Sequence, residues 1–242
     1  VIANEFDIVS TLDILPKDYL SALEDYDISG KSSFKLKFIT DKQKEAAIDI
    51  DFTLKNGTVK SDIIPFDLEQ LSLDGNYTNG AKRTDETTQI DLKDIQLIAN
   101  NELILANATI NGLENPKVKA DVSSQLNLSE LEKWGYKSDL KSIDGNATYE
   151  VSYFGNVGVK NNIDYDIAMA KKSADISIEN LSLAIDEQSP KLSNSNVKLK
   201  VVDDHLDIER LEGTLAKESK FKFIGAIENV FSYLFLKNSP LK

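Results

Sequence analysis

The amino-acid sequence predicts a mainly β protein. We expect repeated antiparallel strands that form a long curved sheet, shaped like a taco or a groove, with two or three short helices at the repeat corners. Almost every apolar run is short and alternates with polar residues, which is typical of strands with one buried face. A cassette of strand, short helix and strand also occurs twice in the 242 residues, which indicates a repeat.

The strands follow from this alternation along the whole chain. Phe34, Leu36 and Phe38, for example, alternate with Lys35 and Lys37, so one face of this strand is apolar and the other is charged. The dipeptide Asn56-Gly57 is typical of a hairpin turn. Further strands are predicted at Ile48–Leu54, Leu71–Leu73, Ile90–Leu92, Ile95–Leu97, Leu103–Leu105, Val118–Val122, Ile163–Met169, Ile176–Ile178, Leu181–Ile185, Val197–Val201, Leu206–Ile208 and Phe221–Phe223.

The helices belong to the cassette, whose clearest copy is Leu126–Tyr153. In this copy Ser129 and Glu132 have the spacing of a capping box, and Gly135 suits the end of a short helix. The other copy, residues 12–38, has a helix predicted between Pro16 and Tyr26. Both copies continue with Ile-x-Gly and then alternating aromatic and aliphatic residues, at Ile28 and Ile143, an offset of 143 − 28 = 115.

The cassette divides the chain into two repeats within one continuous domain. The first β repeat spans residues 1–125, the second spans residues 126–242, and a third cassette begins at about residue 229. Ile48–Leu54 resembles Ile163–Met169 at the same offset of 115. Asn101–Leu105 resembles Asp204–Ile208 at an offset of 103, and we attribute the change of offset to loops of different length.

Composition excludes several classes of protein. There are no cysteines, which excludes disulfides and thiolate chemistry. The net charge of −12 argues against nucleic acid as a partner, since phosphate contacts need clustered Lys and Arg. No apolar run is long enough for a transmembrane helix, and no signal-peptide pattern is present. Because the chain opens in the middle of a pattern, we expect it to be an excised piece of a longer protein.

Two groups of residues are candidates for catalysis or metal binding. The single histidine, His205, follows Asp203 and Asp204; because the matching segment at an offset of 103 keeps turn residues without a histidine, we favour a hairpin turn over a metal or acid–base site. Four aspartates recur on predicted strands and could pair as catalytic carboxylates, but their alternation with apolar residues favours a solvated strand face. They are Asp49, Asp51, Asp164 and Asp166. We therefore expect no catalytic residue, no metal ligand, no cofactor and no enzyme.

The apolar face of the strands is the remaining candidate. Large apolar side chains on such a face are usually core, but here they could also line a groove for acyl chains, and spacing alone does not separate the two interpretations. The predicted lipid-facing strip consists of Phe34, Leu36, Phe38, Leu103, Leu105, Tyr149, Val151, Tyr153, Leu206, Ile208, Phe221 and Phe223.

Three segments carry a resemblance to a known family. They are Leu126–Trp134, Ile143–Val151 and the C-terminal stretch from Asn196 to Val230. The order of an alternating strand, a Gly-containing strand, and a further strand leading to a short helix resembles the AsmA-like proteins of Gram-negative bacteria. The resemblance is one of pattern, covers most of the chain and includes no catalytic signature.

The resemblance implies a large envelope protein that is anchored in the inner membrane by an N-terminal helix absent from this chain, with the rest in the periplasm. It also implies phospholipid transport along a β-groove and a link to outer-membrane assembly, with phospholipid acyl chains and envelope proteins as partners. The alternative is a structural or adhesive envelope repeat module that has a closed core and binds a protein partner through a sheet edge.

Overall fold

The computed structural model describes residues 1–12, 25–41, 44–61, 66–134, 140–158, 163–186, 189–216 and 218–236. Its strands are β1 (Ile2–Asp7), β2 (Asp27–Asp41), β3 (Lys44–Lys60), β4 (Leu68–Thr78), β5 (Gln89–Ala99), β6 (Glu102–Asn111), β7 (Lys117–Asn127), β8 (Ser142–Asn156), β9 (Lys171–Ala184), β10 (Leu192–Val202), β11 (His205–Leu215) and β12 (Ser219–Glu228). Its α-helices are α1 (Ile8–Leu12), α2 (Ile163–Met169) and α3 (Val230–Phe235). Short 3-10 helices span Asp85–Thr87 and Leu128–Trp134.

The strands form a meander. Their order in the sheet is the same as their order along the chain, from β1 to β12. Antiparallel pairing follows, since successive strands joined by short connections run in opposite directions. The predicted class, mainly β with antiparallel strands and short helices, is confirmed; the curvature of the sheet into a groove stays a prediction.

The chain divides into two compact units, Val1–Ala120 and Asp121–Lys242. The predicted repeat boundary lies a few residues later, between residues 125 and 126. The short helix at Leu128–Trp134 follows β7, as the cassette predicts, whereas in the first unit Leu12, where the cassette was expected to begin with a strand, is the last residue of helix α1 (Ile8–Leu12). The helix predicted between Pro16 and Tyr26, and the predicted helix end at Gly135, lie in segments outside the described residues.

The two units share an internal repeat at the level of strand register. Gly30 and Gly145 have φ angles of 137° and 134°, which only glycine adopts readily. The pair Ile28–Val59 in the first unit corresponds to Ile143–Leu183 in the second. The offset of 115 residues therefore relates β2 to its counterpart β8. Between β3 and its counterpart β9 the offset is 183 − 59 = 124.

Shared bulges extend this correspondence. In β3 an extra residue lies at Asn56, with a φ of 50°, and in β9 an extra residue lies at Asn180, with a φ of 55°. In β4 and β10 the equivalent residues are Gln70 and Asn194. Asn56 and Gly57 thus form a bulge within a continuous strand rather than the predicted hairpin turn. The dipeptide did not distinguish the two structures, because a bulge and a hairpin turn both require residues that tolerate positive φ.

Two of the predicted repeat matches are wrong. Ile163–Met169 is helix α2 rather than a strand, and the counterpart of β3 is β9. The α2 segment begins with acidic residues at its positive end, and it buries Ala168 while Tyr165 and Met169 remain exposed. The second error shifted the C-terminal match by one strand: the positions of the bulges make β11 the counterpart of β5, rather than of β6, and make β12 the counterpart of β6.

Buried side chains concentrate in the second unit. Leu128, Ala147, Leu181 and Val197 form a packed cluster between the 3-10 helix and the sheet. In the described part of the first unit, by contrast, the buried hydrophobic residues are Leu54 and Ala99. The second unit therefore has the denser core.

Candidate functional site

The apolar face of the first unit is built by register. Directly opposed residues in an antiparallel pair share a face. Phe34 lies opposite Phe52, and Phe52 lies opposite Gly75 on the next strand. Gly75 in turn lies opposite Leu92. One continuous apolar face therefore crosses β2 to β5, and its further members are Leu36, Phe38, Ile48, Ile50, Leu54, Leu73, Tyr77 and Ile90.

This face is covered only in part. Phe34, Leu36 and Phe52 are half-buried, and Phe38 at the strand end is 57% exposed. Phe52 lies across Gly75, where an added Cβ would come within 2.2 Å of the ring. The Phe52 ring therefore lies close against the backbone of β4. Phe38 at the strand end is the member of this face that is most clearly in contact with solvent among the described residues.

The apolar face of the second unit contains the other predicted strip residues. Tyr149 lies opposite Ile176 on β9, and Val151 lies opposite Ala174. The same face continues through β10 to β12, where its members are Leu199, Val201, Leu206, Ile208, Leu211, Phe221 and Phe223. Small buried residues such as Ala147 and Ala174 lie between the large ones, so this face is packed more closely than the face of the first unit.

Leu103 and Leu105 do not belong to the apolar face. The register places Leu105 opposite Gln96, on the same side as the charged residues of the sheet. Ile104 is opposite Leu97 and takes the apolar side. The apolar run of β6 has hydrophobic residues on both faces, so alternation alone does not decide which of them face the apolar side. The predicted strip was wrong at these two leucines.

The predicted aspartate pairs separate into two environments. Asp49 and Asp51 lie on the polar face of β3, as predicted, and Asn76 Nδ2 donates to both carboxylates at 2.9 Å. Lys37 and Lys35 lie opposite them on β2. Asp164 and Asp166, by contrast, lie in helix α2. Asp49 and Asp51 thus belong to a solvated strand face, and Asp164 and Asp166 lie in the first turn of a helix. Both placements fit a structural role for these carboxylates.

His205 is the first residue of β11, directly after the turn at Asp203 and Asp204. Its Nε2 lies 3.0 Å from Asp207 Oδ1. Across the described ranges, no three His, Cys, Asp or Glu side chains are grouped as they would be to hold a metal ion. The predicted hairpin turn is present at Asp203 and Asp204, and His205 follows it.

A polar cluster that sequence reasoning missed surrounds Lys172 at the start of β9. Its side chain is buried, and Nζ donates to the carbonyl oxygens of Ala168 and Ala170 at 3.0 Å each. The ammonium also lies 4.6 Å from the centre of the Phe231 ring. Burial lowers the pKa of Lys172, and Asp204 and Asp203 oppose this shift. Alternation along the strand could have indicated this position. Lys172 has the same spacing as Ala174 and Ile176, which places it on the apolar face of β9.

Asp204 connects this cluster to helix α3. Its carboxylate accepts hydrogen bonds from the backbone N–H groups of Phe231 and Ser232, at 2.6 and 3.0 Å, and from the Ser232 hydroxyl at 2.5 Å. Burial raises the pKa of Asp204, but the hydrogen bonds from Ser232 and Phe231 and the charge of Lys172 outweigh it and hold the pKa below its usual range. The Asp204 carboxylate therefore stabilises the start of helix α3.

Tyr153 completes the surroundings of α2. Its hydroxyl donates to the carbonyl oxygen of Asn156 at 2.6 Å. Burial, followed by the nearby charge of Asp166, raises the pKa of Tyr153. The phenol is therefore neutral at physiological pH. Its ring is apolar, and its hydroxyl provides the polar end that binds the Asn156 carbonyl oxygen.

Comparison with known proteins gave no match to any protein-family model, curated protein or solved structure. Among the helices described, none combines the length and the apolar character needed to cross a bilayer.

Proposed function

We propose that this chain is a non-enzymatic, lipid-binding or lipid-conducting segment of an AsmA-like envelope protein. The observation that carries the proposal is the apolar face of the first unit, where aromatic and aliphatic residues on successive strands remain half-buried. A contiguous apolar surface left open to solvent is typical of a site that binds an apolar ligand or a partner.

The energetics suit acyl chains. Each CH₂ group removed from water contributes roughly 0.8 kcal/mol, so a chain that covers several strands gains substantial affinity without any polar contact. The face presents similar side chains on β2, β3 and β5, including Leu36, Ile50 and Ile90. A surface without a specific polar anchor favours movement of the lipid along it, with the headgroup in water.

The biological setting of the proposal comes from the resemblance alone. The resemblance implies a periplasmic location and attachment to the inner membrane. It assigns the segment to phospholipid transport and outer-membrane assembly, with envelope proteins as further partners.

Photo-crosslinking tests the proposal. A photoreactive amino acid at Phe34, on the apolar face, should capture phospholipid when the protein is purified from a Gram-negative host and analysed by mass spectrometry. Lys35, its neighbour on the opposite face, and Leu105, an apolar residue 41% exposed on that opposite face, are the matched controls. Equal capture at all three positions, or none at Phe34, would contradict the proposal.

The packed cluster of the second unit supports a second candidate, a structural or adhesive envelope module. Leu128, Ala147 and Val197 are buried there as in a closed core. A photoreactive group at Tyr149, on the apolar face of that unit, distinguishes the two functions. Lipid capture at Tyr149 extends the lipid-binding face to the second unit, whereas lipid capture at neither Phe34 nor Tyr149 favours the structural module.

A further inference from the structure

Gly75 interrupts the apolar alternation of β4. It lies between Leu73 and Tyr77, whose large side chains are on the same face of the strand. Its φ angle is outside the left-handed region, so the backbone conformation itself does not require glycine here. The obstacle to a side chain is the ring of Phe52, because an added Cβ would lie 2.2 Å from Phe52 Cζ. The glycine therefore provides room for this ring.

The Phe52 ring reaches across from β3 to β4. Phe52 is directly opposite Gly75, and adjacent strands are about 4.8 Å apart. Side chains of a strand ordinarily stand away from the sheet, but the end of this ring occupies the place of the missing Cβ, so the ring lies along the sheet. The ring thus forms the floor of a depression, and Leu73 and Tyr77 form its two sides along β4.

Two aliphatic side chains take the corresponding place in the second unit. The offset of 124 residues that relates β3 to β9 also relates the bulges of β4 and β10. With this offset Phe52 corresponds to Ile176 and Gly75 corresponds to Leu199, and Ile176 is directly opposite Leu199. The two units therefore share the register but differ in what stands on it: a ring against a glycine in the first, and two branched side chains in the second.

We propose that an acyl chain of the bound lipid crosses β4 at Gly75, between Leu73 and Tyr77, with the Phe52 ring beneath it. The inference rests on the lipid-binding function proposed above and adds the residues that decide where a chain lies. Gly75 acts through its lack of a side chain. The Phe52 and Gly75 pair is therefore the specificity-determining difference between the first unit and the second.

The depression suits a linear hydrocarbon chain. It is one residue position wide along β4, since Leu73 and Tyr77 are the nearest residues of that strand on the same face. The row of opposed residues that crosses the sheet here carries no charged or hydrogen-bonding side chain, so a hydrocarbon chain on it leaves no polar side chain of the row unpaired. The row consists of Phe34, Phe52, Gly75, Leu92 and Ala108.

Exchanging the pair between the units is the first test. The variant Phe52→Ile/Gly75→Leu gives the first unit the pair that already packs at the same register in the second. The readout is phospholipid captured by a photoreactive amino acid at Leu92, the residue opposite Gly75 on β5, after purification from a Gram-negative host. Capture should fall about tenfold, which corresponds to about two CH₂ groups that lose contact with the sheet.

The reciprocal variant, Ile176→Phe/Leu199→Gly, is the matched control in the second unit. It lays a ring along the sheet there and should raise phospholipid capture by a photoreactive amino acid at Ile208, the residue opposite Leu199 on β11. A general loss of stability would not raise capture, so this arm separates the proposal from a purely structural role of the pair. Unchanged capture in either exchange would overturn the proposal.

Gly75→Ala is the second variant for the first unit, and it answers the case in which the double exchange does not fold. Its single added methyl group displaces the Phe52 ring from β4 and should lower capture at Leu92 severalfold. Circular dichroism checks that each variant keeps its β structure. A folded Gly75→Ala protein that captures as much phospholipid as the wild type would also overturn the crossing at Gly75.

Capture at Phe34 in the wild type keeps this inference separate from the proposed function. Phospholipid captured at Phe34 and Leu92 in the wild type, and captured equally at both in the variants, would leave lipid binding in place and refute the crossing at Gly75. A wild type that captures no phospholipid at either position would refute both.

Discussion

The ammonium group of Lys172 lies 4.6 Å from the centre of the Phe231 ring. These residues belong to β9 and to helix α3, so the contact joins the start of one strand to a helix far along the chain. The same ammonium donates to Ala168 and Ala170 at the end of α2, whose free carbonyl groups favour a cation. One buried lysine thus contacts both α2 and α3 at the end of the sheet.

Replacing Lys172 should destabilise the second unit. Lys172→Ala removes the packing against Phe231 and leaves two carbonyl groups without their donor, which we expect to lower the free energy of unfolding by about 2 kcal/mol. Lys172→Met keeps the apolar stem and should lie closer to the wild type. Urea unfolding followed by circular dichroism measures both; an alanine variant as stable as the methionine variant would contradict the role of the stem.

The stability of the wild type relative to Lys172→Met should increase at alkaline pH. Burial lowers the pKa of Lys172 in the folded protein below the ordinary value of 10.5. A charged lysine at this buried position costs free energy of folding. This cost falls as the pH rises from the folded pKa to the unfolded pKa, because the lysine of the folded protein loses its proton first. Unfolding free energies of both proteins measured from about pH 8 to about pH 11 check this. A constant difference would refute the lowered pKa.

Asp204 should contribute stability that is lost in acid. Its folded pKa lies below the ordinary 3.8, so its contribution is complete above that value and is lost as the pH falls through the folded pKa. Near neutral pH, Asp204→Ala should cost about 1–2 kcal/mol, since it removes the acceptor for the first N–H groups of α3. The difference between variant and wild type should shrink toward zero in strong acid. Asp204→Asn, which keeps one acceptor oxygen, should be intermediate.

The two corresponding glycines, Gly30 and Gly145, should be equally intolerant of a side chain. An added Cβ would lie 2.8 Å from Gly57 Cα in the first case and 3.0 Å from the Glu179 carbonyl oxygen in the second. Both φ angles also disfavour alanine, so each Gly→Ala variant should lose about 2 kcal/mol or more. Gly112→Ala is the control: its φ is positive, but no heavy atom comes within 3.4 Å, so it should cost only about 1 kcal/mol. Equal losses at all three positions would show that φ alone decides.

Two leucines should differ sharply on truncation. Leu128→Ala removes a buried member of the packed cluster and should cost about 2–4 kcal/mol. Leu105→Ala lies on the polar face, where the side chain is 41% exposed, and should change stability by less than about 0.5 kcal/mol. Thermal unfolding compares the two; a large loss at Leu105 would contradict the register of β6.

Period-two alternation predicted most of the strands, because a strand with one covered face repeats every second residue. Phe34 and Leu36 on β2, and Tyr149 and Val151 on β8, lie on the predicted apolar side. Ile163–Met169 also alternates in its apolar residues, but β9 pairs with β8 instead, and the segment closes the connection as a helix. Tertiary pairing overrode the local pattern.

The candidate site was predicted less completely than the fold. Leu103 and Leu105 were assigned to the wrong face because β6 carries apolar residues on both sides, so its parity becomes clear only when Ile104 is seen opposite Leu97. The Lys172 and Asp204 cluster depends on residues that are distant in the chain and meet through α3. No spacing rule along the sequence brings them together.

The bulges at Asn56 and Gln70, and those at Asn180 and Asn194, imply an order of events in the ancestry of the chain. Bulges at equivalent positions in both units are most simply inherited from one ancestral unit, before the gene segment was duplicated. Helix α2 has no counterpart between β2 and β3, and the segment 79–88 between β4 and β5 is replaced by a two-residue turn between β10 and β11. The connections therefore differ between the two units, whereas the strands share their irregularities.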